Sequence, residues 1–134
     1  MRRFAVLAVL AVALAVPSAA LAKTTFSVFT LGKGFTGKKF HIRLAHTGRI
    51  QIVLRYSRIT NPKLDLIMSV RRPGTDGNVV LDTGGTGQGC NADGNFYVCS
   101  VYLAGQGAGR WVVAMGKESR AKATIHLRLS WPAA

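Results

Sequence analysis

Acidic residues are scarce in this chain: Asp65, Asp76, Asp82, Asp93 and Glu118 stand against eighteen lysines and arginines, for a net charge of +13. So few carboxylates, with no D-x-D cluster, exclude a calcium site built from acidic side chains, because calcium takes six to eight oxygen ligands. Cysteine is also rare, with Cys90 and Cys99 alone. Two sulfurs without a second ligand pair exclude a structural zinc site, and their spacing is not the C-x-x-C of a redox pair. The G-x-S-x-G elbow of a serine hydrolase is absent. His41, His46 and His126 are scattered among the serines without a spaced acid–base partner. The chain is therefore expected not to be an enzyme and to need no cofactor. A hydrolase of unknown type is the third reading. Gly84 to Gly89 lacks the G-K-[ST] ending and the following helix of a phosphate loop, and reads as a mobile loop.

Long apolar runs are confined to the N-terminus. Met1-Arg2-Arg3 is a short basic region, Phe4 to Val16 is apolar, and Pro17 and Ser18 break the run. Ala20-Leu21-Ala22 then offers the small-x-small pattern of a signal peptidase site. The run is shorter than a bilayer requires, so residues 1–22 read as a cleavable Sec-type signal peptide rather than an anchor. No cysteine follows to accept a lipid, and Arg2-Arg3 is a weak twin-arginine signal. Cleavage would leave a single domain over 23–134. With Arg2 and Arg3 removed, sixteen basic residues face five acidic ones, a net charge of +11. Localisation is expected to be periplasmic or secreted.

A helical period is missing from the rest; the period is two, which means strands. Phe40, Ile42 and Leu44 alternate with Lys39, His41 and Arg43. Ile50, Ile52, Leu54 and Tyr56 alternate with Arg49, Gln51, Val53 and Arg55. With His46-Thr47-Gly48 between them, these two segments are expected to form a hairpin. Further strands are expected at Leu64–Val70, Val79–Leu81, Asn95–Leu103, Arg110–Met115 and Ala123–Trp131, with Thr83 to Gly94 a loop or irregular hairpin. Phe26 and Val28 suggest an extra edge strand, but Gly32, Gly34 and Gly37 argue for a loose arm. Seven short strands separated by turns predict an all-β, jelly-roll-like antiparallel sandwich.

Two cysteines in an exported chain predict a disulfide. Two turns compete. A turn at Gly94-Asn95 pairs 93 with 96 and brings Cys90 opposite Cys99; a turn at Asp93-Gly94 is the commoner hairpin signal but places Cys90 across from Tyr97. The first is preferred, since cysteines in an oxidising compartment rarely stay free.

Phe40-His41-Ile42-Arg43-Leu44, Gly48-Arg49-Ile50-Gln51-Ile52 and Leu64-Asp65-Leu66-Ile67-Met68 resemble segments of the bacterial pre-peptidase C-terminal (PPC) domain. Asp82-Thr83-Gly84-Gly85, Gly109-Arg110-Trp111-Val112-Val113 and the closing strand Ala123–Leu129 continue the resemblance over most of the mature chain. It implies a small jelly-roll-like sandwich and an accessory or binding module of the kind that follows secreted hydrolases. Some members use calcium, for which Asp65, Asp82 and Asp93 are the candidates at matching positions; turn chemistry explains Asp82 and Asp93 better, and an exposed strand position explains Asp65.

Trp111 and Tyr97 are candidate stacking platforms. Trp111 falls on an apolar strand face and reads as core, Tyr56 likewise, while Tyr97 and Tyr102 are ambiguous. The basic strands carry no interleaved aromatics, so specific nucleic-acid binding is not expected. The resembled sheet order sets the Lys39–Leu44 strand beside the last one. Lys39, His41, Arg43, Arg49, Arg55, Lys122, His126 and Arg128 then merge into one cationic patch, and His41 and His126 could be neighbours, without a third metal ligand. The function expected is a monomeric, non-enzymatic module binding an anionic polymer, lipopolysaccharide or membrane-surface phosphates, chiefly through Arg43, Arg49, Arg55 and Arg128. The alternative is a regulator or inhibitor docking on an exported enzyme.

Overall fold

The alternation that marks the strands also sorts their side chains onto two faces, and a computed structural model of the chain shows where those faces meet. It describes residues 22–32, 36–117 and 122–133. The predicted leader lies outside the described residues except for Ala22. Nine strands follow in order: β1 (Ala22–Leu31), β2 (Thr36–Leu44), β3 (Gly48–Ser57), β4 (Leu66–Arg71), β5 (Asn78–Asp82), β6 (Cys90–Asp93), β7 (Phe96–Gln106), β8 (Gly109–Lys117) and β9 (Ala123–Pro132). They form a five-stranded sheet ordered β1-β9-β3-β7-β6 and a four-stranded sheet ordered β2-β8-β4-β5, antiparallel throughout. The fold is the all-β sandwich expected from the period.

The apolar positions of both sheets converge on one core. Ile50, Ile52, Leu54, Ile125, Leu127 and Leu129 come from the larger sheet, and Ile42, Leu44, Leu66, Met68, Val113 and Met115 from the smaller. Each of these is at most 5% exposed, so each contributes about 1.5–3 kcal/mol by burial.

Two expectations need correction. β2 and β3 are not a hairpin: β2 pairs with β8, and β3 with β7 and β9. The short link between them is a corner that carries the chain from one sheet to the other, and Ala45 N–H donates to the Pro132 carbonyl to hold it (2.9 Å). Alternation tells which side chains are buried, not which strand lies alongside, so a corner and a hairpin share one pattern. The Lys23–Lys38 arm is not loose up to Leu31; all ten residues of β1 pair with β9 without a bulge. Phe29 and Leu31 reach the core, whereas Phe26 and Val28 point outward at 77% and 66% exposure.

The Cys90–Cys99 disulfide is present, and the register is the preferred one: Cys90 opposite Cys99, Asn91 opposite Val98, Ala92 opposite Tyr97, Asp93 opposite Phe96. Gly94 takes φ +54°, and among the described residues no non-glycine has positive φ. This is a two-residue turn with glycine first, the II′ preference. The bridge fits an oxidising compartment.

Candidate functional site

The expected single basic patch is divided between opposite faces of the sandwich, because β2 and β9 belong to different sheets. Arg49 and Arg55 on β3, with His126 and Arg128 on β9, sit on the outer face of the five-stranded sheet, where His126 is in register with Arg55. Lys39, His41 and Arg43 sit on the outer face of the four-stranded sheet. His41 and His126 are therefore not neighbours. Lys122 stands exposed just ahead of β9, and its carbonyl accepts a hydrogen bond from the buried Asn61 amide (2.9 Å).

On the five-stranded sheet most arginines already have a partner. The Arg55 guanidinium lies 4.8 Å from the centre of the Phe96 ring and that of Arg49 lies 5.8 Å from Tyr102. Basic and aromatic residues thus interleave across strands, which reading strand by strand misses. The arginines occupy the faces of those rings through cation–π contacts. Between them runs a shallow groove of about 400 Å³ walled by Phe26, Val28, Val53 and Val98, with Arg55, His126 and Arg128 along it.

The four-stranded sheet is different. Its outer face sets Arg43 of β2 directly opposite Arg110 of β8, and His41, Val112 and Arg71 in one row across β2, β8 and β4. Lys39, Ala114, Ser69 and Val79 form the next row. Arg43 and Arg110 are both exposed. Cross-strand neighbours are about 5 Å apart, and like charges directly opposite each other are destabilising. Among the described residues, the side chains of Lys39, His41, Arg43 and Arg110 have no hydrogen bond, ion pair or ring contact. Arg71 has one long bond, Nη1 to the Thr75 carbonyl at 3.4 Å.

Val112 points outward on this face yet is only 1% exposed and does not join the core cluster. Its cover comes from the side chains around it, consistent with long basic residues laying their stems over an apolar floor. Ala114 and Gly116 keep the rest of the central strand low. At the rim, a hollow of about 360 Å³ is lined by Lys23, His41, Arg43 and Trp131. The result is a flat, cationic, water-facing strip with a hollow at one end. It can hold an extended anion by charge and hydrogen bonds.

Arg71 and Arg110 belong to this face and were missed by the sequence reading. The signal was there: Arg110 falls on the opposite parity to Trp111 and Val113, and Arg71 on the opposite parity to Val70. Arg72, next in the chain, has another role. It stacks 4.1 Å from the Trp111 ring centre and donates to the carbonyls of Ala108 (2.9 Å) and Arg110 (3.2 Å). Trp111 packs against the core, as expected, and its Nε1–H donates to the Gly107 carbonyl (2.8 Å). Neither group is free for a ligand.

Tyr56 is buried against Tyr97, ring centres 5.5 Å apart. Burial raises its phenol above the ordinary value, the Thr83 hydroxyl opposes the rise and Tyr97 adds to it. The phenol stays protonated at neutral pH and takes no part in a binding charge. Gly87, at φ +73°, lies against Tyr97: a Cβ there would come within 2.7 Å of the Tyr97 ring. The glycine-rich loop is thus packed onto the sandwich at that point. Asp82 accepts a hydrogen bond from Gly84 N–H (2.9 Å), the expected turn chemistry, while Asp65 is half-buried rather than exposed.

The class this geometry defines is a two-sheet antiparallel β-sandwich with a cationic outer face. No family model matches the chain and no curated protein does. Among solved structures, it is similar to the Yersinia pseudotuberculosis-derived mitogen, at 11% identity over 83% of this chain and 87% of that one, with a TM-score of 0.49. It is also similar to the infectious bursal disease virus VP2 subviral particle, at 12% identity over 84% of this chain and 33% of that one, with a TM-score of 0.41.

Proposed function

We propose that this protein is an exported, non-enzymatic module that binds an anionic polymer of the cell envelope or its surroundings. The polymer lies along the outer face of the four-stranded sheet, on Lys39, His41, Arg43, Arg71 and Arg110. The observation that carries this reading is Arg43 opposite Arg110, both exposed and both with guanidinium groups that have no partner among the described residues. Two guanidinium groups in that register weaken the sheet by a few tenths to about 1 kcal/mol. An anion between them turns that cost into affinity. Export is supported by the tripartite N-terminus and by the disulfide, and a PPC-like accessory role is compatible with such a binding face.

Retention on a heparin column tests the site. Replacing Lys39, Arg43, Arg71 and Arg110 with glutamine should move elution to clearly lower salt than replacing Arg49, Arg55, Lys122 and Arg128. Both variants lose the same charge, so net charge alone predicts identical elution. For the wild type, binding should fall steeply with salt, by roughly one power of the salt concentration for each cation engaged. A packed protein interface, as for an inhibitor of an exported enzyme, falls less.

A further inference from the structure

An antiparallel sandwich has four sheet edges, and natural proteins protect such edges with charge, proline, bulges or brevity. Three of the four are protected here. β2 carries exposed Lys38, Lys39 and Arg43 along its length. β5 is five residues long and is bulged against β4 at Met68/Ser69. β6 is four residues long and ends in Asp93. β1 has none of these devices. It runs for ten residues in unbroken register with β9, contains no proline, and its one charge, Lys23, lies at its beginning. Its outward side chains are Thr24, Phe26, Val28 and Thr30, and among the described residues its far side has no strand beside it.

We infer that the β1 edge is a self-association surface, where a second copy of this chain pairs antiparallel through its own β1. The pattern of the strand is complementary to itself. With the twofold axis at Ser27, Phe26 faces Val28 of the other copy and Thr24 faces Thr30. Aromatic meets β-branched and hydroxyl meets hydroxyl, the pairings that stabilise antiparallel neighbours. The contact is isologous, so it closes on a dimer and goes no further. The segment Thr24–Leu31 carries no charge, which suits an uncharged copy of itself and gives an acidic or basic peptide nothing to recognise. The dimer joins the two five-stranded sheets into one and covers Phe26 and Val28. It leaves the four-stranded sheet and its cations open, so it stands or falls independently of the proposed polymer binding. The sequence reading expects a monomer, and the oligomeric state in solution decides between the two.

Salt separates the two. Two strongly basic copies repel each other, and added salt screens that repulsion. Dimerisation should therefore tighten with ionic strength while polyanion binding weakens. Sedimentation equilibrium of the wild-type protein across a salt series is expected to show a dimer that strengthens as salt rises. Val28→Lys should weaken it by roughly tenfold or more, since it removes both Phe26–Val28 contacts and sets two like charges diagonally across the axis. Val79→Lys, at a similarly exposed valine on β5, should leave it unchanged. In a Thr24→Cys/Thr30→Cys variant, oxidation should yield a covalent dimer in this register. A wild-type monomer at every salt concentration overturns the inference. So does a dimer indifferent to Val28→Lys, or one lost equally with Val79→Lys.

Discussion

Thr83→Val is expected to lower the unfolding free energy by about 2–4 kcal/mol, although the side chain keeps its shape. Thr83 is fully buried, and its hydroxyl closes a gap between backbone groups of a neighbouring segment. It donates to the Leu64 carbonyl (2.6 Å) and accepts from the Leu66 N–H (2.8 Å). Its own N–H donates to the Leu66 carbonyl (3.0 Å), and its carbonyl accepts from Thr86 N–H (2.9 Å) and Gln88 N–H (3.3 Å). One residue thus fastens the glycine-rich loop to the start of β4. Valine fills the same space but leaves the Leu64 carbonyl and the Leu66 N–H buried without that partner, and each such group costs about 1–3 kcal/mol. Urea unfolding followed by tryptophan fluorescence measures the loss. Thr86→Val, at an exposed position whose hydroxyl bonds only the Thr83 carbonyl, should cost less than half as much. Equal losses would mean that the loop, rather than the buried hydroxyl, sets the energy.

Removing the disulfide should be comparably severe. Cys90→Ala with Cys99→Ala is expected to cost about 2–3 kcal/mol, the value for closing a short loop in the unfolded chain. The bridge ties the four-residue β6 to β7. Cys99 is 1% exposed and lies in register with Leu54 of β3, so alanine also removes core contact there. The midpoint of urea unfolding should fall with little change in slope, and hydrogen exchange should quicken first at Asn91 and Ala92. An unchanged midpoint would show that β6 is held by its backbone ladder alone.

The sequence was most informative where chemistry is local. The period of two placed Ile42, Ile52, Leu66, Val113 and Ile125 in the core, and the cysteine spacing selected the β6–β7 register over a commoner turn. It was least informative about which strand lies beside which. The pattern of Lys39–Leu44 is satisfied equally by a hairpin and by a corner, because burial depends on the face and not on the neighbour. The sheet order of the resembled family merged Arg43 and Arg128 into one patch when they stand on opposite sides of the sandwich, and the pattern alone hid Arg110, whose significance comes only from lying across from Arg43. β1 was obscured by two further features. The glycines that follow it dilute its pattern, and its exposed Phe26 and Val28 imitate an inward face. Thr83 left no pattern, since its partners Leu64 and Leu66 are brought to it by the tertiary fold.

The central claim is that an anionic polymer lies on the outer face of the four-stranded sheet. Backbone amide chemical shifts of the folded protein, titrated with a defined heparin oligosaccharide, test it most directly. The largest changes are expected on His41, Arg43, Arg71, Arg110 and Val112, with Val53, Ser100 and Arg128 on the opposite face nearly unmoved. Changes spread evenly over both faces, or centred on Arg55, His126 and Arg128, would contradict it.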